Sequence, residues 1–289
     1  MRKLNKLAVA GMAAVMMFAL AACGSSTEAP TEGADAAAAA ESTETAAAEE
    51  NTDAAPAEDA ETPAADETVY KIATDTTFAP FEFENDKGEM VGIDLELLAA
   101  IAEDQGFSYE MQFVGFSAAM TALEAGEVDA MIAGMSITDE RKEKYDFSDP
   151  YYDSGVGMAV LADSDIDSYE DLAGLQVAAK IGTEGCTFAE SIADQYGFTI
   201  SQFEDSSTMY QDVLAGTSAA CFDDYPVLGY EISRGVGLKL PLEMEHSNSY
   251  GFAVLKGEHP ELIEKFNAGL ANMKESGKYD EILNTYIAK

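Results

Sequence analysis

An α/β protein of two lobes is what this 289-residue sequence predicts, on three observations. Strand-type and helix-type segments alternate β-α-β-α-β from Val69, and after Asp163 the same alternation starts over. A last strand and two helices find no third sheet to join, so they return to the first lobe and the chain crosses between lobes twice. Ahead of Val69 the composition is of another kind, with nothing in it to build a core.

That leading part has two pieces. Residues 1–22 carry three early positive charges (Arg2, Lys3, Lys6), an apolar run and then small residues, the layout of an export signal too short for a committed membrane span. The "LAAC" that ends at Cys23, followed by "GSS", resembles the bacterial lipoprotein lipobox. The resemblance implies that Cys23 becomes the lipidated N-terminus, with palmitate among its acyl chains; the alternative is an ordinary signal peptide in which Cys23 is incidental. At about 0.8 kcal/mol per buried CH₂, several chains would hold the protein on a bilayer almost permanently. Residues 23–68 form the second piece. From Gly24 to Glu67 it has no aromatic and no large aliphatic residue, so it reads as a disordered acidic linker with a reach of about 35–40 Å.

The remainder is globular in composition. Val69–Lys289 holds 41 acidic against 13 basic residues, a net charge near −28, which argues against nucleic acid or an anionic membrane surface as partner. Cys186 and Cys221 do not make a disulfide framework, and bridged and free thiols both stay open. Neither has a His or Cys neighbour at metal-ligand spacing, so no metal and no cofactor is expected.

"VYKIATD" alternates and then turns, as an opening strand does. "GEMVGIDLELLAAIAEDQGF" gives a short strand and a helix, with Leu95, Leu98, Ala99 and Ala102 at helical spacing and Gly106 ending it. A strand over "SYEMQFV", a helix over "FSAAMTALEAG" and a strand over "VDAMIAG" complete a largely parallel sheet. Thr138 is a reasonable N-cap, with Asp139 and Glu140 in the first turn of a helix that carries Arg141. The second lobe follows as a short helix in "DSYEDLAG", then three strands, "LQVAAKIG", "TISQFED" and "SAACFDD", with helices "CTFAESIADQYG", "STMYQDVLAG" and "YPVLGYEISRG" between and after them. The strand "SYGFAVLKG" and two helices end the chain. The expected boundaries are 69–155 for the first lobe, 156–248 for the second and 249–289 for the return, with hinges near Tyr152–Met158 and Ser247–Gly251.

In open α/β sheets ligands sit beyond the carboxyl ends of strands, which gathers five loops around one cleft: "ATDTTFAP", "GFSAA", "AGMSITDER", "AKIGTEG" and "FDDYP". Each candidate there has a bland alternative. Arg141 is either a surface partner of Asp139 and Glu140, where a pair is worth ~0–1 kcal/mol, or a planar fork for a carboxylate, assisted by backbone N–H groups around Gly134 and Ser136. Asp223 and Asp224 are helix caps or an ammonium site. Asp75 is a turn-former or a contact, Phe78 and Phe116 are core or pocket wall, and Lys180 is surface or a charge ending a buried strand. Taken together, one fixed cation, one fixed anion and an aromatic wall suit a free amino-acid zwitterion, because leaving either ligand charge unpaired in a closed cleft costs several kcal/mol.

Over Val69–Lys289 the motifs "ATDTTFAPFEF", "GIDLELLAAIA", "AGMSITDERKEKYDFSDPYY", "KIGTEG" and "DDYP" resemble the polar amino-acid-binding proteins of ABC importers, solute-binding protein family 3, glutamine-binding-protein-like. The resemblance implies a type II periplasmic-binding-protein fold, two α/β lobes joined by two crossover hinge strands that close around the ligand. Carried over by position, Arg141 resembles the clamp on the ligand α-carboxylate, assisted by Ser136 and the backbone near Thr183. Asp224 resembles the partner of the α-ammonium, helped by Gly134 and Ser136; Phe78 and Phe116 resemble the aromatic pair along the carbon stem. Asp75 and Lys180 lie where side-chain specificity is set. Lys180 favours glutamine or a similar polar residue, with Asp75 accepting from the amide NH₂. Asp223 and Glu184 depart from the glutamine pattern, and either could neutralise Lys180 and admit Lys, Arg, ornithine or His instead.

The same resemblance implies a permease and, through it, an ATPase subunit as partners, a bilayer touched only by the Cys23 lipid, a monomer, and a place on the outer face of the cell membrane. No catalytic residue is expected, since His246 and His259 fall outside the cleft loops. The rival class is an enzyme like cyclohexadienyl dehydratase on the same fold, its acid–base work resting on carboxylates such as Asp75 or Glu184. A receptor's sensing half is disfavoured, because no span or signalling domain follows to Lys289, and no phosphate loop marks an ATPase.

Overall fold

The computed structural model describes residues 68–287; the expected export signal, Cys23 and the linker to residue 67 lie outside the described residues. The chain opens with β1 (Val69–Thr74), followed by β2 (Thr77–Phe78), β3 (Glu82–Glu84) and β4 (Met90–Val91). The last three form a small antiparallel sheet of their own. Gly92 then turns the chain into α1 (Ile93–Gln105) at φ +142°, and a Cβ on it would lie 2.0 Å from the Phe81 carbonyl oxygen. The core-facing stripe of α1 is Ile93, Leu97, Leu98 and Ile101, with Asp94 buried among them. This differs from the sequence expectation: Leu95 is only half-buried and Ala99 is exposed, because Ile93 in the first turn, not Leu95, sets the phase of the buried face.

The first lobe continues with β5 (Ser108–Phe113), α2 (Phe116–Glu124) and β6 (Ala130–Met131). Where a helix was expected from Thr138, there is a single 3₁₀ turn, Arg141–Glu143, whose Arg141 N–H donates to Thr138 Oγ1 at 3.2 Å. The turn is short because β7 (Tyr145–Phe147) begins at once, claimed by a strand from the far end of the chain. After β8 (Tyr152–Leu161) come a 3₁₀ turn at Tyr169–Leu172, β9 (Gln176–Lys180), α3 (Glu184–Tyr196), β10 (Thr199–Phe203), α4 (Ser206–Leu214), β11 (Ala220–Asp224) and α5 (Tyr225–Ser233). The chain ends with β12 (Leu238–Lys239), β13 (Glu245–Tyr250), β14 (Ala253–Leu255), α6 (Pro260–Ser276) and α7 (Lys278–Tyr286).

Two larger sheets organise these elements. The first runs β5-β1-β6-β14-β7, parallel through β6 and antiparallel at β14, so the return strand does complete the first sheet. The second runs β10-β9-β11-β8-β12, with β13 also paired to β8. Both are covered on two faces, so inner strands such as β8, β9 and β11 are buried along nearly their whole length, while the edge strands β5 and β10 are not. Ile72 packs with Leu97 and Phe266 on one side of the first sheet, while its neighbour Ala73 packs with Leu123 and Met131 on the other. In the second sheet Phe222 and Cys221 divide in the same way. Cys186 and Cys221 are free and buried. No helix among the described residues is long and apolar enough to cross a membrane.

Candidate functional site

The carboxyl ends of strands from both sheets meet in one small cleft. Eight of the nine residues read from the sequence, all but Asp75, line it together with Glu184. Asp75 reaches it by bonding Lys180. The lobes are drawn so close that the cavity between these side chains measures about 10 Å³, room for roughly one water molecule.

At one end stands Arg141, placed by the tight turn after β6. Its Nη1 donates to Ser136 O and its Nη2 to Gly182 O, each at 2.9 Å, the second bond crossing from the first lobe to the second. The guanidinium lies 5.5 Å from the centre of the Phe116 ring, and the Glu184 carboxylate comes within 3.7 Å of it. Glu184 opens α3, whose N-cap Thr183 accepts from Cys186 N–H at 3.3 Å; the helix start adds a partial positive charge to this wall.

Facing Arg141 is Asp224, the last residue of β11. Its Oδ2 accepts from the Tyr250 hydroxyl at 2.6 Å, and that hydroxyl accepts in turn from Ser154 Oγ at 2.9 Å. Burial, reinforced by the neighbouring Asp223 charge, pushes Asp224 up to about 7. Asp223 itself accepts from Tyr210 OH at 2.5 Å and from the Asp224 backbone N–H at 2.9 Å. Burial raises its carboxyl too, against the pull of Lys180.

The other end holds the Lys180–Asp75 ion pair, both side chains 1% exposed and contributed by opposite lobes. Lys180 Nζ also donates to Ser206 Oγ at 3.4 Å and lies 5.4 Å from the centre of the Phe78 ring. A second backbone link closes the lobes beside it, Ser206 N–H to Thr77 Oγ1 at 3.2 Å. Neither acid weighed earlier as a neutraliser bonds Lys180: Glu184 turns to Arg141, and Asp223 is held by Tyr210. Gly134 fits because it lacks a Cβ: its φ is +54°, and a Cβ would lie 2.3 Å from the Phe78 ring.

Two further residues shape the site without having been read as part of it. Tyr250 is fully buried and looks like an ordinary strand aromatic. Asp94 holds the Gly134 N–H at 2.8 Å. Its signal was present, an acid on the apolar face of α1 at helical spacing from Leu98. The two histidines stand elsewhere: His246 packs on Phe188, and His259 pairs with Asp129.

Residues 70–289 match the model of the bacterial extracellular solute-binding proteins, family 3. The chain belongs to that family. A curated relative, the ABC transporter glutamine-binding protein GlnH of Bacillus subtilis, is 32% identical over 228 residues, 77% of this chain and 81% of the relative. Relatives named for arginine and histidine match at 27–30% identity. Among solved structures, substrate binding domain 2 of Lactococcus lactis GlnP in an open conformation is 44% identical, covering 76% of this chain and 96% of that one, with a TM-score of 0.55. An ancestral arginine-binding protein, solved with glutamine and with arginine, is 35% identical over 76% of this chain and 98% of that one, with a TM-score of 0.71. The more similar sequence superposes less well.

Proposed function

We propose that this family member is the extracytoplasmic binding component of an ABC importer, capturing a free L-amino acid by lobe closure and delivering it to a membrane permease served by an ATPase subunit. The observation that carries this reading is the crossed charge pattern of the cleft. The first lobe supplies Arg141 and Asp75, the second Asp224 and Lys180, so one cation and one carboxylate stand at each end. At the Arg141 end the guanidinium offers its fork to an α-carboxylate, displacing Glu184, while the Asp224 carboxylate, held by the Tyr250 hydroxyl, accepts from the α-ammonium. Phe78 and Phe116 flank the carbon stem. At the far end Lys180 and Asp75 present a donor beside an acceptor, the pair a primary amide needs, which favours glutamine or a similar polar residue. A basic amino acid is the second reading: relatives of comparable similarity are named for arginine and histidine, but its cation would have to displace Lys180 from Asp75.

Binding on this reading requires opening first, since about 10 Å³ admits no amino acid. The hinge falls where β8 and β13 leave the first lobe, with lobe boundaries at 69–155, 156–248 and 249–289. Cys23 serves as the lipid anchor, the acidic segment behind it as a spacer, and the protein works as a monomer outside the cell membrane. The cleft is proposed to bind, not to catalyse; both described histidines lie away from it.

A melting screen against the common amino acids tests the proposal. Ligand at about 100 Kd adds ~2.7 kcal/mol, roughly a 5–10 °C rise for a domain of this size. Glutamine should give the largest shift. No shift with any amino acid would overturn the reading, and a larger shift with arginine or lysine would replace glutamine with the second one.

A further inference from the structure

We propose that Glu82 and Asp94 share one proton and act together as a positioning pair, fixing the Gly134 peptide and the hinge-side Tyr151 for amino-acid capture. The proposal rests on the binding function above and concerns two carboxyls that line no part of the cavity.

Both carboxyls are fully buried, Glu82 on β3 and Asp94 in the first turn of α1. Asp94 Oδ2 accepts twice, from Gly134 N–H at 2.8 Å and from Tyr151 OH at 2.7 Å. One bond thus reaches the loop that shapes the cleft, and the other reaches the residue that leads into β8. The remaining three oxygens, Asp94 Oδ1 and both of Glu82, are buried without any donor. Such groups are rare in native proteins, and two bare carboxylates side by side in apolar surroundings repel strongly. One proton resolves this: Glu82 as a neutral acid donates its O–H to Asp94, which stays ionised and keeps both of its other donors.

The surroundings agree. The charges facing Glu82 are Asp94, Asp75 and Lys180, and Lys180 is already committed to Asp75. Facing Asp94 are Tyr151 and, from α7, Tyr279. Burial holds Glu82 well above its ordinary value and raises Asp94 to about 6, so the proton belongs on Glu82. Tyr151 is also held well above its ordinary value, which keeps it a neutral donor.

Glu82→Gln tests the pair because an amide donates as the neutral acid does but cannot titrate. In the ligand-free full chain at neutral pH, the infrared carbonyl stretch of one protonated acid should vanish in the variant. A raised pKa means Glu82 favours folding fully below about 4.5, and that contribution is lost as pH rises. The melting temperature of Glu82→Gln should therefore equal wild type near pH 4.5 and exceed it increasingly toward pH 8. Its affinity for the amino acid should stay within about twofold, whereas Asp94→Ala, which frees Gly134, should lose ~5–100-fold. An unchanged carbonyl band, or a melting difference that does not vary with pH, overturns the shared proton. Full affinity in a folded Asp94→Ala overturns the positioning role. Failure of every amino acid to bind would instead refute the binding function, while the infrared and melting results still judge the pair.

Discussion

The two ends of the cleft contain the same kinds of charge and treat them differently. At one end Lys180 and Asp75 neutralise each other directly, deep in the interior and across the lobe boundary. At the other, Arg141 bonds two carbonyl oxygens and Asp224 accepts from a tyrosine, so each is held mainly by neutral groups that leave its charge uncancelled. Among the described residues, the ion pair that Arg141 makes is with Glu184, at 3.7 Å. A charge steadied by dipoles is rigid and still attracts an ion; a charge already paired is silent until something inserts beside it. On the proposed function, the first behaviour suits the groups every amino acid shares and the second suits side-chain choice.

Breaking the Arg141 end should have the largest effect. Arg141→Ala leaves a ligand carboxylate unpaired, about 3–5 kcal/mol. Calorimetric titration should show at least a hundredfold loss for every amino acid alike; a loss confined to one ligand would contradict the contrast. Asp224→Asn should follow closely and also flatten the pH dependence of binding. In wild type, affinity should fall up to tenfold per pH unit below about 7, as Asp224 takes up its proton. Ligand-free stability runs the other way. Asp224's folded value lies above 3.8, so its contribution is complete below 3.8 and is lost as pH rises toward about 7. Opposed slopes in binding and melting curves would thus identify this group.

The opposite end should respond more gently. Lys180→Met uncovers the Asp75 carboxylate, so glutamine should weaken roughly tenfold while arginine or lysine gains; an unchanged ranking in competition binding would remove Lys180 from specificity. Tyr250→Phe deletes one hydroxyl between Ser154 and Asp224, and about 0.5–1.5 kcal/mol of affinity should go with it.

The alternation of strands and helices was legible because each segment carries its own period, and the strand ends could be gathered without knowing a single contact. Arg141, Lys180 and Asp224 stood out as charges where apolar residues or caps were expected. What could not be read depends on distant partners. Lys180 meets Asp75 across 105 residues of chain, and Tyr250 meets Asp224 across 26. The helix expected at Thr138 shrinks to one turn because β14, more than a hundred residues later, draws Tyr145–Phe147 into the first sheet. Asp94 carried a faint signal in its place on the apolar face of α1, but that Glu82 is buried with it shows only once β3 and α1 pack together.

The connectors β8 and β13 lie side by side, paired from Tyr152–Tyr250 to Ser154–Asn248. Two strands stitched by backbone hydrogen bonds make a ribbon, stiff within its plane and compliant only perpendicular to it. The proposed opening would thereby be confined to one flexing direction, with sideways shear between the halves suppressed. A pair of labels straddling the mouth should report two separations and little between, with different nutrients altering how long the shorter one persists and not its value.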